Sequence, residues 1–186
     1  MPFTSPTRLL LVAATSAVLA APAAAQGLRP SAAFFQTGGG DDGVSATASL
    51  GASWDWAWRQ AALGGEFSAA TELVATLLQA DRVGGGQRTY VQLGLVPVLR
   101  YRFGAGRSPW FVEGGIGLSV MDRKLETPEK SQGSAWNFSD NLAVGRNFGA
   151  RNEHELSLRW QHTSNAGIQE PNPGFDMFFV RYAARF

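Results

Sequence analysis

The sequence predicts an all-β protein, an eight-stranded antiparallel barrel that crosses a membrane with its strands, and three observations carry that prediction. Apolar and polar residues alternate with a period of two between breaks rich in Gly, Pro or charge, and no sustained stretch after the leader shows helical spacing. The alternating segments number eight, an even count that suits closure, and several reach or pass the roughly 9–11 residues that a tilted strand needs to cross a bilayer. The polar half of the alternation is made of Gly, Ser and Asn interspersed with charges of both signs, a filling suited to the narrow interior of an eight-stranded barrel. The mean hydropathy of −0.09 does not contradict this, because lipid-facing and interior residues cancel in any average over such strands.

Residues 1–25 read as a cleaved secretory signal, since Arg8 precedes the apolar run Leu9 to Ala21 and Ala23-Ala24-Ala25 offers a small-residue cleavage site. Residues 26–186 are then expected to form one barrel domain. With no cysteine, a chain that passes into an oxidising space has to be stabilised without disulfides. A net charge of +1 without a Lys/Arg cluster sets nucleic-acid binding aside.

The expected strands are 29–37, 44–59, 63–77, 87–103, 109–122, 134–148, 152–164 and 174–186. In the second, Val44, Ala46, Ala48, Leu50, Ala52, Trp54, Trp56 and Trp58 form an apolar face opposite Ser45, Thr47, Ser49, Gly51, Ser53, Asp55, Ala57 and Arg59. Its three tryptophans suit a membrane interface. The fourth, with a blurrier pattern, sets Val91, Leu93, Leu95, Pro97, Leu99, Tyr101 and Phe103 against Gln92, Gly94, Val96, Val98, Arg100 and Arg102, and the fifth sets Trp110, Val112, Ile116, Leu118 and Val120 against Phe111, Glu113, Gly115, Gly117 and Ser119. In the sixth, Trp136, Phe138, Leu142 and Val144 share a face that Asp140 interrupts, which a local bulge would explain. The polar faces predict an interior ion-paired network that includes Glu66, Glu72, Arg100, Arg102 and Glu113, with no pore. Outer loops are expected at Thr37–Gly43, Leu78–Gly86, Arg123–Gly133 and Asn165–Pro173.

The chemistry is concentrated in the last hairpin. His162 and Ser164 are two residues apart, so on a strand they share a face with Cα atoms roughly 6.5–7 Å apart, close enough for an imidazole to serve a hydroxyl nucleophile. A register that opposes Trp160 to Phe178, Leu158 to Val180 and Leu156 to Tyr182 puts Asp176 across from His162, where a carboxylate can orient the ring. The three residues are in phase with the lipid-facing side, not with Arg159, Gln161, Arg181 and Arg185. With both termini periplasmic, the site lies near the extracellular rim and faces the outer leaflet.

The run His162-Thr163-Ser164-Asn165-Ala166-Gly167, followed by Asn172, Gly174 and Asp176, resembles the signature of the lipid A 3-O-deacylases of Gram-negative outer membranes, the PagL-type esterases. The resemblance implies hydrolysis of the ester-linked 3-hydroxyacyl chain of lipid A, with Ser164 as nucleophile, His162 as general base and then acid, and Asp176 orienting the imidazole. It further implies that Asn172, with backbone N–H groups near Asn165 and Gly167, stabilises the oxyanion, and that neither metal nor cofactor is needed. The acid of the family is usually Glu, and Asp176 is shorter by one methylene; Glu170, near the loop tip, is the alternative acid. The implied partners are lipopolysaccharide, outer-membrane lipid and the outer-membrane assembly machinery, which Phe186 after an alternating strand would address. Self-association into a homodimer is left open by the sequence.

Two other readings compete. A non-enzymatic structural or adhesive barrel explains everything except the in-register His, Ser and Asp, and would be marked by long polar outer loops. The other is a soluble periplasmic β-sandwich or lipocalin-like carrier; a sandwich would bury its apolar faces in a core and needs shorter strands.

Overall fold

The computed structural model describes residues 29–186, so the expected signal at 1–25 lies outside the described residues. Eight strands follow one another: β1 (Ala32–Gly40), β2 (Val44–Ala62), β3 (Gly65–Asp81), β4 (Gln87–Arg102), β5 (Trp110–Met121), β6 (Trp136–Phe148), β7 (His154–Ser164) and β8 (Phe175–Arg185). Each pairs antiparallel with the next, and β1 pairs with β8 from Ala32↔Arg185 to Gly40↔Met177, closing the barrel. Closure leaves no open sheet edge around the barrel, as a hydrocarbon environment demands, although the turn-side end of β2 runs on past Ser53, where its pairing with β1 stops. A sandwich is thereby excluded.

The alternation sorts the side chains as expected. Leu50, Leu93, Leu118, Leu142, Leu158 and Phe178 point outward and are exposed, while Thr47, Ser49, Gln92, Ser119, Asn137 and Asn141 are buried inside. In the middle of the lumen Glu72, Glu113 and Glu155 meet Arg100, Arg159 and Arg181. Arg100 bridges Glu113 and Glu155 at 2.6 Å each, Arg159 bridges Glu72 at 2.7 Å and Glu113 at 2.5 Å, and Arg181 reaches Glu72 at 2.6 Å. Three anions and three cations balance within the network. Arg100 and Arg181 also lie over the Phe111 and Phe34 rings, at 3.8 and 3.7 Å from the centroids.

Two expected members are not in this network. Glu66 pairs with Arg59 at the strand ends, at 2.9 Å, and Arg102 donates to the Ser108 carbonyl at 3.1 Å, because both sit one layer nearer the short turns. Below the ion pairs, a polar vestibule lined by Arg59, Arg102, Arg107, Arg151 and Arg185 opens toward those turns and the chain end. Above them the lumen is filled by an apolar cluster of Leu78, Tyr90, Met121, Leu125, Phe175, Met177 and Phe179.

Val44 belongs to that cluster too, although its parity predicts a lipid-facing side chain. The register shifts between Val44 and Ala46, and this bulge turns Val44 inward while leaving Leu50 outside. A second shift lies between Asp55 and Arg59, where the tryptophan ladder ends: Trp56 donates to Thr71 Oγ1 at 3.0 Å and Trp58 is exposed. Around Asp140, by contrast, β6 pairs without interruption on both sides, so no bulge accommodates this carboxylate and it stays on the outward face.

Four loops emerge at the end opposite the termini. β3 continues to Asp81, which shortens the second loop to 82–86, and the long third loop, 122–135, carries a small antiparallel bridge between Glu126 and Ser131.

Candidate active site

β7 and β8 pair so that His162 stands directly across from Asp176, and His162 Nδ1 lies 2.7 Å from Asp176 Oδ1. Both are part-exposed on the outward face, and the Trp160 ring stacks on the imidazole with centroids 6.2 Å apart and planes 24° from parallel. With Nδ1 taken by the carboxylate, Nε2 is left for the nucleophile.

Ser164 ends β7 on the same face, and none of the described residues hydrogen-bonds to its hydroxyl. Gly174 brings base and nucleophile to a common point. A Cβ on Gly174 would lie 2.6 Å from His162 Cε1, 3.0 Å from Nε2 and 3.5 Å from Ser164 Cβ. Only a residue without a side chain fits there, and its φ of +67° also favours glycine.

The loop between the two strands is built around Asn165, which is wholly buried. Its amide donates to Ser134 Oγ at 2.9 Å and to the Gln169 carbonyl at 2.7 Å, while its Oδ1 accepts from Gln169 N–H at 3.3 Å. Its backbone N–H donates to Asn172 Oδ1 at 2.8 Å. That N–H is therefore engaged, and in this geometry Asn165 orients Asn172 rather than facing a substrate oxygen. Among the described residues, neither Asn172 Nδ2 nor the Gly167 N–H, at φ +75°, has a hydrogen-bond acceptor.

Glu170 makes no hydrogen bond or ion pair with the imidazole, whose partner is Asp176. Its Oε2 accepts from the Asn172 N–H at 3.0 Å, which makes it a brace of the loop.

The strand that carries the acid is held from outside the hairpin. Asp41 Oδ1 accepts from Asp176 N–H at 2.9 Å, and Asp41 N–H donates to the Asp176 carbonyl at 3.1 Å. Lys130, from the third loop, donates to the Gly174 carbonyl at 2.8 Å and pairs with Asp42 and, at 3.8 Å, with Asp41. Lys130 holds the Asp42 carboxyl below the usual aspartate range, chiefly through their hydrogen bond. No motif or spacing in the sequence marks Asp41, Asp42 or Lys130; their roles depend on how two distant loops meet β8.

Below the site, an apolar cleft of about 770 Å³ runs along the outer face, with Leu142, Leu158, Trp160, Phe178 and Val180 among its lining. A chemically competent hydroxyl, a base fixed by an acid, unengaged donors on the adjoining loop and an apolar cleft beneath are what hydrolysis of a lipid ester requires.

Comparison with known proteins agrees with this arrangement. The family described as lipid A 3-O-deacylase (PagL) matches residues 43–185. The chain is 31% identical to the lipid A deacylase PagL of Pseudomonas aeruginosa over 176 residues, 94% of each chain. It is 35% identical to the lipid A deacylase PagL of Bordetella bronchiseptica over 95 residues, covering 51% of this chain and 50% of that one. The crystal structure of the outer membrane enzyme PagL superposes with a TM-score of 0.70 at 26% identity, over 83% of this chain and 99% of that one. The chain belongs to the lipid A 3-O-deacylase (PagL) family of outer-membrane barrel enzymes.

Proposed function

We propose that this outer-membrane lipid A 3-O-deacylase works through Ser164, His162 and Asp176 on the lipid-facing side of its last hairpin, with its substrate in the outer leaflet. The observation that carries the assignment is the 2.7 Å contact between His162 Nδ1 and Asp176 Oδ1, which fixes the tautomer that leaves Nε2 to accept a proton.

Ser164 Oγ attacks the ester carbonyl at the 3-position of lipid A while its proton passes to His162 Nε2. The tetrahedral oxyanion is met by Asn172 Nδ2 and the Gly167 N–H, with Asn165 serving to aim Asn172; donors of this kind are each worth about 3–4 kcal/mol in the transition state. The imidazolium then gives its proton to the departing sugar oxygen, leaving an acyl-serine. A water activated by the same imidazole hydrolyses it and releases the 3-hydroxy fatty acid. Asp176 holds the ring throughout and does not itself take up the proton. The released chain lies along the cleft beneath Trp160, already in contact with the membrane. Phe186, at the end of an alternating strand, is the element that the outer-membrane assembly machinery would recognise.

Mass spectrometry of lipid A from membranes of cells expressing the chain tests the assignment. The parent is expected to remove one hydroxyacyl chain. Ser164→Ala should lose at least about four orders of magnitude in rate. A Ser164→Ala barrel that still removes the chain would refute the nucleophile.

A further inference from the structure

The vestibule below the ion pairs, about 770 Å³ in volume, takes no part in the chemistry of the last hairpin. The closed wall of strands separates it from lipid, and the ion pairs and the apolar cluster close it from above. Anything that enters is therefore soluble and comes from the turn end, which is the periplasmic end in the orientation given above. A space open at one end holds a ligand rather than conducting it.

Most arginines of its wall are matched by a carboxylate: Arg100 by Glu113 and Glu155, Arg181 by Glu72, Arg185 by Asp55 and Arg59 by Glu66. Arg102, Arg107 and Arg151 are not. Arg102, half-buried at the end of β4, stands directly across from Glu66, but that carboxylate is taken by Arg59, and Arg102 reaches only the Ser108 carbonyl, at 3.1 Å. Arg100, Arg185 and Arg59 repel it, against the attraction of Glu155. Arg107 and Arg151, in the turns after β4 and β6, line the same space, and among the described residues neither guanidinium has a hydrogen-bond or ion-pair partner. Glu153 accepts the Arg151 backbone N–H at 2.8 Å rather than its side chain, and the chain-end carboxylate of Phe186 bridges none of the three. Residues 1–28 contain no Asp or Glu, so that part of the chain cannot supply the anion. A cation half-removed from water among like charges is stabilised when an anion joins it.

We propose that the vestibule is a binding site for a small multivalent oxyanion from the periplasm, a phosphate ester or a polycarboxylate, held by Arg102 on the wall and by Arg107 and Arg151 on the turns at the mouth. Guanidinium forks match the paired oxygens of phosphate and carboxylate, and three of them around one cavity suit a ligand with more than one negative charge. A cleft lined by one sign of charge with low-dielectric walls also concentrates such a ligand. The site lies inside the barrel and the triad outside it, so the binding is independent of the ester hydrolysis.

Isothermal titration calorimetry tests this on the full barrel refolded in a nonionic detergent, with folding checked by heat-modifiable gel mobility and with pyrophosphate and tricarballylate as probes. The parent is expected to show one saturable site for at least one probe, and the probe that binds more tightly tells phosphate from carboxylate chemistry. Arg102→Met should weaken that binding at least about tenfold, the loss of a charge-assisted hydrogen bond, while lipid A hydrolysis stays at the parent rate. The double variant Arg107→Ala/Arg151→Ala changes only exposed turn residues, so it reads the same site if Arg102→Met does not fold, and a fall of the same size is expected. Arg123→Met, which alters a guanidinium paired with Asp122 at the opposite end of the barrel, should bind as the parent does. A parent that binds neither probe saturably overturns the proposal. Parent-strength binding in folded Arg102→Met or in the double variant overturns it too, as does an equal fall in Arg123→Met, which would mark non-specific attraction to surface charge.

Discussion

Gly174 shows how a single missing side chain can set an active site. It is the residue around which His162 and Ser164 converge, and a methyl group there would press on the imidazole at 2.6 Å. A misplacement on the order of 1 Å costs about 100-fold in rate where a proton must pass along a fixed line. Gly174→Ala is therefore expected to lower kcat about 100-fold while the barrel still folds, as measured by lipid A hydrolysis beside heat-modifiable mobility. The pairing of His162 with Asp176 was legible in the sequence, because apolar residues opposed across the hairpin fix its register. The role of Gly174 was not. In sequence, Asn172-Pro173-Gly174 is ordinary turn chemistry, and only the path of the loop brings residue 174 against residue 162. Asn165 was legible as part of the motif, but its part in orienting Asn172 depends on its contacts with Ser134, a residue thirty-one positions away.

Among the elements, the third loop does for β8 what no strand pairing does. Its Lys130 is largely buried for a lysine and joins three segments: the first loop through Asp41 and Asp42, the start of β8 through the Gly174 carbonyl, and its own turn. Lys130→Met removes a charge-assisted hydrogen bond, a class of interaction worth about 1.5–3 kcal/mol, from the residue that spaces base and nucleophile. We expect kcat to fall about tenfold, with KM for a short soluble ester unchanged. The clamp also has a pH signature. Asp42 is held below the ordinary value of 3.8, so its contribution is fully present above that value and is lost as pH falls through the lowered one. Limited proteolysis within 122–135 should accordingly be slow at neutral pH and faster in strong acid. The strands themselves were legible to within a few residues; the meeting of the first and third loops was not, since it depends on tertiary contacts between Thr127, Asp42 and Lys130.

For the whole molecule, the division of labour between the two faces is the organising fact. Period-two alternation revealed the barrel and assigned most side chains to lipid or lumen, and it erred where a bulge changes the phase, as at Val44; Glu66 and Arg102 keep their lumen phase but take partners in the end layer, outside the central network. With no cysteine to cross-link it, the chain is tied across the lumen by the interior network, which joins β3, β4, β5, β7 and β8. Glu113 accepts from both Arg100 and Arg159, so Glu113→Gln leaves two buried guanidinium groups short of an anion. Removing one partner of a buried pair costs about 3–5 kcal/mol, and the urea midpoint for unfolding in detergent should fall accordingly. Lipid A hydrolysis per folded barrel should hold, because the network lies on the opposite face of the sheet from the triad.

The apolar cluster above that network has a consequence for the cell rather than for the reaction. The vestibule reaches up from the turns, but the ion pairs close it, and Tyr90, Phe175, Met177 and Phe179 stopper what remains. Among the described residues the apolar cluster and the ion pairs fill the lumen along its axis, and on the proposed reading the enzyme works sideways, from its rim into the leaflet. Many copies can therefore share an outer membrane while its permeability barrier stays intact.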